Sequence, residues 1–205
     1  MNCVYCPSAE GSTGDHIPPR CFYDDPPPPN LIKVPCCEKC RVRDQKDDRL
    51  IRNLFISILQ VEPHRAVLKQ LGAKRDKSFE EDKAMATRMA KMMVPIAVKD
   101  AKGRIVRIAP GFNLDKPVVA NFLERVCRGV IYEDHGKAYF PAKFSWVQQP
   151  NMPLSLMERA EPSIKQRALS DIFHYFITQT EEGDWFVMLT FFQTLQMLGK
   201  LTVPK

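Results

Sequence analysis

Cys3-Val4-Tyr5-Cys6 and, further along, Cys37-Glu38-Lys39-Cys40 decide how the first part of this chain folds. Each is a Cys-x-x-Cys clasp, which grips one metal ion across a tight turn, and two clasps together complete a tetrahedron of thiolates. Such a site supplies folding free energy that a loop-rich segment otherwise lacks. Cys36 stands beside Cys37, but only Cys37 keeps the two-residue gap to Cys40. Cys3, Cys6, Cys37 and Cys40 are therefore the expected ligands of a structural Zn²⁺. The chain has seven cysteines, an odd number crowded towards the N-terminus, and paired cysteines in an intracellular chain point to metal rather than disulfides. Cys21 and Cys127 are expected to be free thiols.

Between the clasps stand Gly14-Asp15-His16-Ile17-Pro18-Pro19 and then Asn30-Leu31-Ile32. The proline run within Asp24–Asn30 cannot continue a helix, because proline lacks the amide hydrogen and its neighbours are held extended. It reads as a stiff spacer between two short extended pieces, His16-Ile17 and Leu31–Val34. Cys-x-x-Cys, Asp-His-Ile-x-Pro, Asn-Leu and Cys-x-x-Cys, in that order, resemble the zinc-bearing branch of the HNH endonucleases. The resemblance covers roughly residues 1–55. A weaker similarity, over Asn121–Pro141 and Phe173–Phe192, is to a C-terminal extension on some bacterial and phage proteins of this class.

The resemblance implies a treble-clef-like ββα-metal module with a catalytic ion distinct from the structural zinc. It implies a metal-dependent DNA endonuclease that hydrolyses phosphodiester bonds. His16 would be the general base, a role suited to a group with a pKa near neutrality. Asp15 would hold a hard cation, Mg²⁺ or Mn²⁺, against the scissile phosphate. Asn30 matches the middle asparagine, which orients the loop carrying the histidine. The sequence departs from the pattern after the last cysteine, where His or Asn is usual and Arg41 stands instead. A guanidinium has no lone pair to donate, so Arg41 cannot ligate. Asp44, one turn later, is the candidate replacement, with Asp47 or Asp48 as alternatives. Otherwise the chain is a degenerate HNH fold, a zinc-binding DNA or protein adaptor.

Net charge is +6, with an excess of three cations in each half, which permits a polyanion partner without requiring one. Lys39, Arg41, Arg43 and Lys46 form a basic stretch beside the motif and are the expected phosphate-backbone contacts to DNA. A protein partner through the C-terminal region is the other expected contact. No apolar run approaches the roughly 20 residues of a membrane helix, so no membrane partner is expected. The N-terminus has no basic and apolar leader pattern, so a cytoplasmic location is expected.

The fold class expected is α+β, with the zinc-stabilised module over residues 1–60 and an α+β region over 61–205. A stripe of Leu50, Ile51, Leu54, Phe55, Ile58 and Leu59 marks a helix from about Asp47. A short helix over Arg65–Leu71 should stop at Gly72, and another should span Phe79–Met93, its methionines filling core. Hairpins are expected around Lys102-Gly103 and around His135-Gly136, flanking a helix over Lys116–Gly129. Ile172–Thr180, Asp184–Phe192 and Gln196–Thr202 read as strands of an antiparallel sheet. His64, His135 and His174 are expected to serve surface or packing roles, and Trp146 and Trp185 to fill core.

Overall fold

The computed structural model describes residues 1–7, 10–58, 65–114, 116–149, 165–169, 171–193 and 195–204. β1 (Thr13–Ile17) and β2 (Ile32–Cys36) pair antiparallel, with Asp15 opposite Val34 and His16 opposite Lys33. Side chains alternate across a strand. Asp15 and Ile17 therefore face the interior, and His16 faces outwards. α1 (Glu38–Gln45) starts directly after Cys37, whose Sγ accepts the Cys40 backbone N–H. α2 (Asp48–Ile58) follows and buries Leu50, Ile51, Leu54 and Phe55, as their spacing predicts.

α3 (Arg65–Glu81) corrects one expectation, since it runs straight through Gly72. A Cβ at Gly72 would meet nothing within 4 Å, so this glycine sits on an open helix face. Glycine there costs only about 1 kcal/mol of helix propensity, too little to end a helix held by packing. The break falls at Asp82 instead, whose side chain accepts the Met85 N–H and caps α4 (Lys83–Met92). Phe79 thus belongs to α3, and the helix expected from Phe79 starts later. Met85 and Met89 are buried. Leu59 and His64 lie outside the described residues.

β3 (Met93–Lys99) and β4 (Ile105–Phe112) form the expected hairpin, turning where Gly103 takes a positive φ of 79°. α5 (Lys116–His135) overturns the second hairpin. Val130 and Ile131 have strand propensity, but they continue the inward stripe of Val119, Phe122, Leu123 and Val126, and burial outweighs propensity. Gly136, with φ 66°, ends the helix by donating its N–H to the Tyr132 carbonyl. Ala138–Phe140 forms no strand.

The remaining chain builds one antiparallel sheet from β5 (Lys143–Gln149), β6 (Lys165–Leu169), β7 (Phe173–Gln179), β8 (Trp185–Phe191) and β9 (Leu195–Thr202). Its order is β5-β9-β8-β7-β6. The class is α+β with antiparallel sheets. β5 and β6 extend the sheet beyond the strands expected from the sequence.

α5 lies between the β1-β2 pair and the five-stranded sheet, and glycines let it approach both. A Cβ at Gly129 would come within 2.5 Å of Ile17 on β1, and one at Gly199 on β9 within 2.6 Å of Cys127 on α5. Phe22, Phe55, Phe122 and Phe191 meet in the centre, with Phe22 stacked on Phe122 at 5.5 Å and Phe55 edge-on to Phe191 at 5.1 Å. One apolar core thereby joins residues from Cys3 to Leu201. No described helix is long and apolar enough to cross a membrane.

Candidate metal centre and the buried Asp15–Arg125 bridge

The two Cys-x-x-Cys turns meet. The Sγ atoms of Cys3, Cys6, Cys37 and Cys40 all lie within 4.8 Å of one another. Among the described residues this is the one gathering of three or more metal-type ligands. A tetrahedral ion with metal–sulfur bonds of about 2.3 Å would set neighbouring sulfurs about 3.8 Å apart. Cys6 Sγ and Cys37 Sγ are 3.8 Å apart, so the donor set fits a thiolate-bound metal. Cys36 is turned away and packs against Thr13, whose Oγ1 is 3.2 Å from its sulfur. The strand and helix explain the split, because Cys36 ends β2 on its buried face whereas Cys37 caps α1. The Cys37 thiol is brought down to about 7, first by the Cys40 backbone N–H. Burial pushes the Cys3 and Cys40 thiols up. The helix start thus favours the thiolate needed for ligation at Cys37.

Asp15 is buried, and its carboxylate is fully engaged. Arg125 donates from Nε to Oδ2 at 2.7 Å and from Nη2 to Oδ1 at 3.1 Å. The Tyr5 hydroxyl donates to Oδ2 at 2.8 Å. The other side of the same guanidinium grips Asp48, from Nη1 at 2.6 Å and Nη2 at 3.1 Å. Nη1 also reaches the Asp44 carbonyl at 3.2 Å. Burial opposes a charge on Arg125, but the hydrogen bonds and fields of Asp48 and Asp15 outweigh it and raise its pKa further. Burial also pushes Asp48 up to about 6, against the pull of Arg125.

The remaining acidic candidates are likewise matched with arginines. Asp44 is held by its neighbour Arg43, Nε to Oδ1 at 2.5 Å and Nη2 to Oδ2 at 2.8 Å. Asp47 accepts from Arg88 Nη1 at 2.7 Å. A hard divalent cation needs several anionic oxygens facing a shared vacancy. Here each such oxygen group faces a guanidinium, so the residues present do not fit Mg²⁺ or Mn²⁺ at Asp15 or Asp44.

His16 is half-buried on the outer face of β1. Burial lowers its pKa below the usual 6.5; Asp15 pulls upwards, and Lys33 and Arg20 push down. Asn30 is exposed in the turn before β2, and no hydrogen bond joins it to β1 among the described residues. Arg41 is clamped to Glu38 on its own helix, with Nε 2.8 Å from Oε2, and reaches Gln45 at 3.5 Å. Lys39, Arg43 and Lys46 are exposed on or just beyond α1. His135 packs on the buried Trp185 ring, with centroids 4.3 Å apart.

Arg125 and Tyr5 were not singled out by sequence reasoning. Arg125 had a signal: it falls three residues after Phe122 on the inward stripe of α5, where a cation is costly unless an anion meets it. Tyr5 carried none beyond its place inside the first clasp. Compared with known proteins, the chain matches no protein-family model, no curated protein and no solved structure at significant similarity.

Proposed function

We propose that the chain is a zinc-stabilised ββα module of HNH type that binds a polyanionic backbone, DNA being the expected one, without a divalent-ion hydrolytic site. The observation that carries the non-catalytic half is the bridge Asp15–Arg125–Asp48, in which a guanidinium takes the cationic place between two carboxylates. A built-in cation offsets one of the two negative charges and occupies the place between them that a hydrated metal would need. Support for the polyanion half is the basic surface beside the metal centre, with Lys33 next to His16 and Lys39 and Lys46 exposed. Contacts of this kind follow phosphate charge rather than base sequence.

The test uses the zinc-loaded chain, a labelled duplex and a supercoiled plasmid. Duplex binding should weaken steeply with salt and fall in Lys33→Glu, and the plasmid should stay intact with Mg²⁺ or Mn²⁺. Absence of duplex binding at low salt removes the polyanion half.

A second reading, phosphodiester hydrolysis by an active nuclease, is favoured by His16. Its half-buried ring has a lowered pKa, so at neutral pH it is a base rather than a cation. Plasmid nicking that disappears in His16→Ala would establish this reading and overturn the first.

A further inference from the structure

Arg52 is a buried cation that meets no anion among the described residues. Its side chain is 2% exposed. Its partners are neutral: Asn53 Oδ1 accepts from Nε at 2.9 Å and from Nη2 at 2.6 Å, Ser78 Oγ from Nη2 at 2.6 Å, and the Cys21 carbonyl from Nη1 at 3.4 Å. These bonds use four of the five N–H groups of a guanidinium. No carboxylate among the described residues lies within ion-pair distance of it. Arg125, equally buried, has two carboxylates, and Arg128 has Glu124. A buried charge without a counter-charge is costly, and chains usually avoid it.

Arg52 lines a cavity of about 570 Å³ between the 3-10 turn Arg20–Phe22, α2 and α3. Four more cations line it: Arg20, Arg49, Lys74 and Lys77. Among the described residues, its wall holds two carboxylates, Asp25 and Glu81. Both lie towards solvent, 77% and 55% exposed, and are held at 3.4 Å by Arg20 and at 3.8 Å by Lys77. A third carboxylate, Asp82, pairs with Arg49 at 3.8 Å, and none of the three is within ion-pair distance of Arg52.

We propose that this cavity is a binding site for a multiply charged phosphate group, with Arg52 as its floor and Lys77 and Arg49 on its rim. A dianionic phosphate supplies the missing counter-charge, and its oxygens accept from guanidinium and ammonium donors together. The volume falls within the range of small-ligand sites, about 300–1,000 Å³. The cavity shares Arg20 with the surroundings of His16, but none of the four clustered cysteines lines it. The ligand's phosphate comes either from a small phosphate ester or from a nucleic-acid backbone.

Calorimetry of the zinc-loaded full chain with inorganic pyrophosphate tests this. Saturable binding is expected, weakened roughly ten-fold, or about 1.4 kcal/mol, by Lys77→Glu and by Arg49→Glu. Both of these positions are exposed, so the variants should fold. Lys33→Glu should leave pyrophosphate binding unchanged, which separates this site from the proposed duplex surface. Arg52→Gln should abolish binding; where that variant fails to fold, the two rim variants carry the test. Displacement of bound pyrophosphate by a short single-stranded oligonucleotide identifies a backbone phosphate as the source, and failure to displace it identifies a small phosphate ester. No saturable binding up to millimolar pyrophosphate, or equal affinity in the wild type and Lys77→Glu, overturns the proposal.

Discussion

Arg125 on α5 donates to Asp15 on β1 at 2.7 Å, in a contact where both side chains are only 3% exposed. The same guanidinium holds Asp48 at the start of α2, so one side chain ties three elements together. Arg125→Gln should leave two buried carboxylates facing each other without a cation. The expected loss is about 3–5 kcal/mol in a urea titration, as for other broken buried pairs. The variant should also gain what the wild type lacks, an anionic cradle open to the cavity lined by Tyr5, Arg43 and Asp44. Mn²⁺ in large excess should therefore raise its melting temperature, by an amount set by RT ln(1 + [L]/Kd), and leave the wild type unmoved. A wild-type melting temperature that rises with Mn²⁺ would show that the carboxylates are available after all.

Metal removal should unfold the N-terminal module. Elemental analysis should find about one zinc per chain, held by the cysteine cluster. A strong chelator should abolish the circular dichroism of the first helices, because binding free energy in such sites, roughly 10–16 kcal/mol, is folding free energy. Cys37→Ser should lose the metal, whereas Cys36→Ser should keep it, since Cys36 contacts Thr13 and not the cluster. Loss of zinc in Cys36→Ser with retention in Cys37→Ser would reverse the ligand assignment.

His16 should titrate below the usual histidine value of 6.5 in an NMR pH series. The folded state disfavours the charged ring, so the unfolded chain binds more protons in the window just below 6.5. Stability from this residue is therefore full above that window and declines as pH falls through it. His16→Asn should flatten that part of the stability curve. Saturation with duplex should move the pKa upwards, because phosphates nearby favour the imidazolium. A pKa at or above 6.5 in the free protein, or no movement with duplex, would contradict the assigned surroundings or the binding surface respectively.

Gly129 controls how closely α5 approaches β1. Gly129→Val should push against Ile17, since even a Cβ would sit 2.5 Å from it. Overpacking of this kind costs about 1–3 kcal/mol, read as a lower denaturation midpoint. The exposed-face control Gly72→Ala should be neutral or stabilising, because nothing lies within 4 Å of its Cβ and alanine favours helix. Equal midpoints for Gly129→Val and the wild type would mean that β1 and α5 are not in register as described.

Local chemistry makes part of this protein legible in its sequence. The clasp spacing picked out Cys3, Cys6, Cys37 and Cys40, because two residues between cysteines is a constraint of the turn itself. Periodicity located α2 and the β3-β4 hairpin, and Gly103 marked the turn of that hairpin. β5 had a usable signal, Phe144 and Trp146 at period two, but polar neighbours and a preceding proline concealed it. β6 carries a single short polar-rich segment with no such alternation, and only pairing to β7 makes it a strand.

What the amino-acid order determined by itself was the metal clasp, the α+β class, an extended piece at His16-Ile17 and Asp15 as the neighbour of His16. The tertiary structure decided what those two residues face. A strand sends neighbours to opposite sides, so once α5 packed on the inner face, Asp15 met a guanidinium 110 positions away while His16 was left among lysine and arginine at the surface. Contacts between residues so far apart in the chain leave no spacing to read. They arise from which faces are apolar enough to be pressed together, and that is settled only when the whole core assembles.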